Sequence, residues 1–311
     1  MKTMLKYIVK KILMIIPTLI VVIFLIFFIL NIVPGNPGRI ILGQDASPEA
    51  VEALNIELGM DKPLLERFGQ YMIDAVHLDF GESYRTREPV FDEILQKFPT
   101  TLMISFLAII CMSLIGIPLG IISAVREYSV LDYTLTVTSL LLASIPGFCL
   151  ALVLIMIFSL HLGILPPMGT GTVLHYILPV LTLTLPNAAY LARLTRTSML
   201  ETMREDYIRT AQAKGAGEMR IITRHALKPV LMPIITVLGI DLAWLLGGAL
   251  IVEIIFGLPG IGSVIVKAVK LKDAPMIMAI TIFLSIMYKV IMLICDIIQG
   301  IIDPRLKTRL R

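Results

Sequence analysis

An all-α integral membrane protein with about six transmembrane helices is the fold that the sequence predicts. Three observations carry this reading: the apolar bulk of the chain, six long apolar runs, and the uneven placement of lysine and arginine. Of 311 residues, 57% are hydrophobic and only 16% are charged, with a mean hydropathy of +0.89. One soluble core cannot bury that much apolar surface, so lipid is the solvent the composition requires.

A bilayer crossing takes about 20 mostly apolar residues in helical form. Runs of that kind lie at 12–33, 100–125, 134–160, 176–192, 230–252 and 274–295. The fourth is the shortest and carries Pro179 and Pro186, which a membrane helix tolerates when neighbouring groups satisfy the freed carbonyls. The first run follows lysines, as a secretory signal would. Its uncharged stretch is too long for one and lacks a small-x-small cleavage pattern, so it is expected to remain as a helix.

Orientation follows from the positive-inside rule. Lys2, Lys6, Lys10 and Lys11 precede the first run, and Arg305, Lys307, Arg309 and Arg311 follow the last, which puts both termini in the cytoplasm. The loop between the fourth and fifth runs, 193–228, carries Arg193, Arg196, Arg204, Arg209, Lys214, Arg220, Arg224 and Lys228 against four acids and is also placed inside. Loop 34–99 holds twelve acids against six basic residues and belongs outside. Lys267, Lys270 and Lys272 do not conform, because they fall in a loop this orientation places outside. The chain thus divides into an N-terminal segment with the first helix (1–33), an extracytoplasmic loop with short helices (34–99), and a five-helix core (100–311).

Within the outer loop, Ser47 and Pro48 begin a helical pattern that Gly59 ends, and a second helix is predicted from Pro63 to Leu78. A short helix is expected at the outer surface between Gly260 and Asp273, next to Glu253, which reads as a water-exposed or helix-stabilising carboxylate. The inner loop is more specific. Asp206 is positioned to cap a short helix ending in Lys214, Gly215 supplies the left-handed residue that stops it, and a second short helix runs from Glu218 to Leu227 before Pro229 starts the next span. Ala211 and Ala213 keep one face small enough for another protein to approach, with basic side chains around it. Solvated basic loops are common, so this pattern alone leaves open a plain cytoplasmic surface.

The segment 206–227 (DYIRTAQAKGAGEMRIITRHAL) resembles the cytoplasmic EAA-type loop of membrane-spanning permeases of ABC importers for dipeptides, oligopeptides and nickel. Arg209, Thr210 and Ala211 fall on the first three motif positions, Gly215 on the glycine, and His225 and Leu227 on the distal positions; arginine in place of glutamate at 209 matches the peptide subgroup. Further segments match in order: PGNP at 34–37, LGMDKPLLERFGQY at 58–71, DFGESYRTREPV at 79–90, SIPGF at 144–148, LPPMG at 165–169, VEIIFGLPGIG at 252–262 and DPR at 303–305.

The resemblance implies a type I ABC importer permease fold in a bacterial cell membrane and import of short peptides, with nickel or a metal chelate as the alternative cargo. It also implies a second homologous permease, two cytoplasmic ATP-binding subunits holding ATP and Mg, and an extracytoplasmic substrate-binding protein. Residues Arg209, Thr210, Ala211, Lys214, Gly215, His225 and Leu227 are then expected to receive the motion of the ATPase pair. No G-x-x-x-x-G-K-[ST] phosphate loop occurs in the chain, in keeping with a transport subunit that has no ATPase activity or cofactor of its own.

Asp241 and Lys289 are charges inside predicted spans at similar depth, and Asn187 follows a helix-interrupting proline. Intramembrane charges cost about 2.5–3.5 kcal/mol on insertion scales. Asp241 and Lys289 are therefore expected either to pair or to line the translocation path together with Asn187. An ion-coupled secondary transporter would use the same charges as a proton or sodium site, but the inverted repeats common in that class are missing. His77, His161, His175 and His225 are scattered and give no metal-ligand spacing. Cys111, Cys149 and Cys295 fall within or at the end of spans and read as buried free thiols. A net charge of +4 is explained by basic loops near anionic lipid and calls for no nucleic acid.

Overall fold

The computed structural model describes residues 2–32 and 35–302, without the side chains of residues 2–10, 12 and 248. Val33, Pro34, the DPR segment and the basic C-terminal residues lie outside this range, as do the side chains of Lys2, Lys6 and Lys10.

Helix α1 (Lys2–Ile32) is followed by three short helices of the outer loop, α2 (Pro37–Leu42), α3 (Pro48–Glu57) and α4 (Leu64–Val76). Ser47 caps α3 by accepting from Ala50 N at 3.2 Å, with Pro48 in the first turn. Helix α5 (Val90–Val125) spans the bundle, and α6 (Val130–Ser144) and α7 (Gly147–Leu154) follow, the latter continuing as a π-helical segment Ile155–His161. After α8 (Leu174–Met203) come two inner-loop helices, α9 (Asp206–Ala213) and α10 (Glu218–Arg220). A π-helical segment Ile221–Ala226 then leads into α11 (Leu227–Gly248), and α12 (Leu250–Ile255), α13 (Ile261–Leu271) and α14 (Ala274–Ile302) complete the described chain.

Among the described residues five helices are long and apolar enough to cross a membrane, and six spans result when the bent pair α6–α7 is counted as one. That pair departs from the continuous third helix expected at 134–160: it bends by 103°. Pro146 is the cause. Proline pushes the preceding residue out of helical space, and Ile145 is extended at φ −84, ψ 121. The fourth run is longer than the apolar pattern indicated, a 30-residue helix that keeps both prolines. Near them, Thr182 Oγ1 donates to Leu178 O at 2.8 Å and Asn187 Nδ2 donates to Leu183 O at 2.7 Å.

Helix α8 is the axis of the molecule because α5 approaches it closely through Gly116 and Gly120. A Cβ at Gly120 would lie 2.4 Å from Ala192 O, and one at Gly116 would lie 2.8 Å from Ala188 O. Small residues four apart let membrane helices pack backbone to backbone, where dispersion rather than water drives association. Gly239 serves α11 in the same way against Cys295 of α14. Helix α1 packs on α14, where Lys11 pairs with Asp296, and its outer end holds the loop through Phe27 against Phe68 and Tyr71. All three cysteines are free thiols.

Candidate functional site

The inner end is built around α9. Its N-cap position is Glu205, whose side chain makes no cap bond, and Asp206 is the first helical residue. This corrects the expectation that Asp206 is the cap; the acid still sits favourably in the first turn, beside the positive end of the helix dipole. Helix α9 ends as its glycine demands. Gly215 has φ +79, its N–H donates to Gln212 O at 2.9 Å, and Ala216 N donates to Ala211 O at 3.1 Å. These two bonds form a Schellman stop, which needs a left-handed residue at its corner.

One side chain roots α9 in the bundle. Ile208 is fully buried in a cluster with Met199, Ile221, Ile222 and Ala226, and Ala216 packs against the same cluster. Burying one isoleucine contributes about 1.5–3 kcal/mol. The remaining surface faces outward: Arg209, Thr210, Lys214 and Gly215 are exposed, while Ala211, His225 and Leu227 are half-buried. Thr210 Oγ1 bonds back to Asp206 O at 2.9 Å, and Arg209 lies 3.7 Å from Asp206. Tyr207 at 44% and Met219 at 72% exposure add apolar area to this face. Met219 drew no attention in the sequence, since a lone apolar residue in a basic loop carries no periodic signal.

The second inner helix does not stop before Pro229. Residues 218–247 run as one helix whose π-helical turn precedes the proline. Pro229 has no N–H for the His225 carbonyl, and a widened turn absorbs that mismatch without breaking the rod. Consequently α9 is joined on one side to α8 and on the other, through Gly217, to a rigid extension of α11.

A partly buried ion pair stiffens the attachment to α8. Arg196 grips Asp132 with two bonds, Nε to Oδ1 at 2.5 Å and a terminal nitrogen to Oδ2 at 2.8 Å. Ser123 Oγ donates to Asp132 Oδ1 at 2.5 Å and Tyr128 N donates to Oδ2 at 3.0 Å, which leaves the carboxylate saturated. The inner ends of α5, α6 and α8 meet at this one acid. In the sequence Arg196 stands out only as one of the inner-loop charges. The Ser129-x-x-Asp132 capping pattern was the available signal, and Ser129 does accept from Asp132 N at 3.2 Å.

Within the membrane, Asp241 and Lys289 do not form an ion pair among the described residues. Asp241 Oδ2 is buried without a hydrogen-bond partner. Lys289 Nζ instead lies 6.0 Å from the centre of the Tyr288 ring, in a groove shared with Trp244 and α1. The sequence gives an expectation of similar depth but no azimuth: α11 turns Ile240, Ala243 and Trp244 toward that groove and Asp241 away from its lining. Asn187 is half-buried and bonded within its own helix.

At the outer end, two buried acids tie distant segments together. Glu253 is fully buried; its Oε1 accepts from Thr101 Oγ1 at 2.6 Å and its Oε2 from Ser263 N at 3.0 Å, while Thr101 Oγ1 accepts from Ile261 N at 2.9 Å. Glu253 therefore caps the start of α13 from outside that helix, and the water-exposed alternative is excluded. Gly260 and Gly262 make room for it, since a Cβ at either would meet Glu253 or Leu250. Asp273 accepts from Ser83 Oγ at 2.5 Å and Tyr84 N at 3.2 Å, locking the outer loop to the start of α14. Burial pushes the Tyr84 phenol up to about 12, with Asp273 adding to the rise and Arg67 opposing it.

The comparisons with known proteins agree with this architecture. The family model described as binding-protein-dependent transport system inner membrane component matches residues 116–308, and its N-terminal companion matches residues 4–105. The glutathione transport system permease protein GsiC of Escherichia coli strain K12 is 38% identical over 307 residues, covering 98% of this chain and 99% of that protein. The protein of the same name from Shigella dysenteriae serotype 1 matches equally. In fold, the chain is similar to the inward-facing MetNI methionine ABC transporter, with a TM-score of 0.55, 20% identity, and coverage of 68% of this chain and 96% of the other. An all-α multi-pass bundle with close matches along nearly its whole length thus has one assignment: the chain belongs to the family of binding-protein-dependent transport system inner membrane components, the permease subunits of ABC importers.

Proposed function

We propose that this subunit imports short peptides, including glutathione-like ones, delivered by an extracytoplasmic binding protein, and that it works with a second homologous permease and two ATP-binding subunits. The substrate reading rests on the glutathione permeases that are 38% identical to it and on the arginine-threonine-alanine form of its inner loop. In this reading α9 is the lever. Its exposed residues Arg209, Thr210, Lys214 and Gly215, with Ala211, His225 and Leu227 at its margins, meet the ATP-binding subunit. The observation that carries the proposal is the rooting of an outward-facing helix by one buried side chain, Ile208, between two long rods. A push on α9 then moves α8 and α11 as rigid bodies, which is how packed helices switch between two arrangements.

Gly215→Val tests this. A Cβ at Gly215 meets nothing within 4 Å, so only the left-handed backbone conformation resists the change. The complex is expected to assemble and hydrolyse ATP while uptake of labelled peptide falls at least tenfold. Full uptake by an assembled Gly215→Val complex would overturn the role of α9.

Asp241 and Asn187 are assigned to the translocation path in the same reading, and Lys289 is left to the α1–α11–α14 groove. Asp241→Asn should change uptake severalfold without loss of assembly, whereas Lys289→Gln should leave uptake within about twofold. The reverse pattern of uptake rates would remove Asp241 from the path.

A further inference from the structure

One of the three outer lysines that run against the positive-inside rule, Lys267, marks a second site. A cleft of about 170 Å³ opens between the outer loop, the first turns of α5 and the amphipathic helix α13. Arg85, Lys97 and Lys267 line it together, each from a different one of these elements. Among the described residues none of the three makes an ion pair. The two carboxylates in the lining accept from neutral donors: Asp273 from Ser83 Oγ and Tyr84 N, and Glu93 from Thr86 Oγ1 at 3.2 Å. Three cations thus face two carboxylates around one small space, which leaves it with a net positive charge and none of the three cations tied in an ion pair.

Depth indicates what fills it. Lys97 stands three residues before the apolar run that begins at 100. Helix α13 buries Ile261 and Ala268 on one side and leaves Val269 and Leu271 exposed beside its lysines, with Leu271 itself in the cleft wall. Cations held above exposed apolar side chains on an amphipathic helix are the arrangement of the headgroup layer, where the aliphatic stems lie in lipid and the charges reach phosphate.

We propose that Arg85, Lys97 and Lys267 bind the phosphodiester headgroup of an anionic phospholipid in the outer leaflet. A soluble phosphate offers the same oxygens, but it would gain nothing from the apolar wall. The cleft also gives one nonconforming lysine, Lys267, a purpose: bound lipid offsets a charge that would otherwise oppose this topology.

The test uses the assembled transporter in mixed phosphatidylglycerol and phosphatidylcholine bilayers, followed by native mass spectrometry of retained lipid. Wild type is expected to keep phosphatidylglycerol in preference to phosphatidylcholine. Each of Arg85→Gln, Lys97→Gln and Lys267→Gln should weaken that retention about fivefold, as one interfacial cation is worth near the membrane surface. Lys270→Gln, on the same helix but outside the cleft, should retain it within about twofold. Retention that is unchanged in all three cleft variants, or lost equally in Lys270→Gln, overturns the site. Displacement of the lipid by millimolar inorganic phosphate overturns the lipid assignment in favour of a free anion.

Discussion

The two ends of the bundle are held by different means, and the contrast separates what must stay fixed from what must move. At the outer end, Glu253 and Asp273 are almost fully buried, and each stitches segments far apart in sequence through short hydrogen bonds. The inner end presents α9 on a single buried isoleucine, with its polar residues in solvent and its helix stop made of backbone bonds alone. Buried, satisfied polar networks rigidify because leaving any member unpaired is costly. A lever rooted in apolar contacts has no such directional constraint.

Breaking the outer network should have the largest effect. Glu253→Ala strands the Thr101 hydroxyl and the Ser263 amide in a dry site, at about 3 kcal/mol in total. The measurement is thermal stability of the purified complex by fluorescence-detected size exclusion, where a marked fall in melting temperature and in yield is expected. Next is the α5–α8 contact. Gly120→Val forces a side chain onto Ala192 O and Thr195, costing about 2–3 kcal/mol in overpacking, and should reduce assembly on the same assay.

Arg196→Ala comes third. Removing one partner of a buried pair costs about 3–5 kcal/mol in full burial, and solvent reaching the arginine, which is 25% exposed, reduces this to about 2 kcal/mol. This variant sharpens the comparison, because the pair lies at the inner end yet is built like the outer network. Uptake should fall further than assembly does if the three helices joined there move as one body. The smallest effect belongs to Gly215→Asn. Asparagine tolerates the left-handed conformation, so stability should change by less than about 1 kcal/mol and uptake should exceed that of Gly215→Val severalfold.

Much of this was legible in the residues. Six apolar runs appear as five long helices and one bent pair, Ser47 and Pro48 start an outer helix, and Gly215 sits left-handed at the end of α9. Local rules suffice there, since hydropathy, capping and backbone sterics act over a few residues. The bend at Pro146 was equally local, and apolar continuity masked it.

What the sequence by itself determined is the solvent, the helices and their stops, and the family, because each depends on composition or short-range pattern. The tertiary structure alone decided the partners of the charges. Asp132 grips Arg196, Glu253 caps a helix it does not belong to, Asp241 and Lys289 stand apart, and Arg85, Lys97 and Lys267 meet around one cleft. The reason is rotational. Hydropathy sets how deep a residue lies in the bilayer, whereas which way it points depends on how one helix turns against another, and that is settled by packing at contacts such as Gly120 on Ala192.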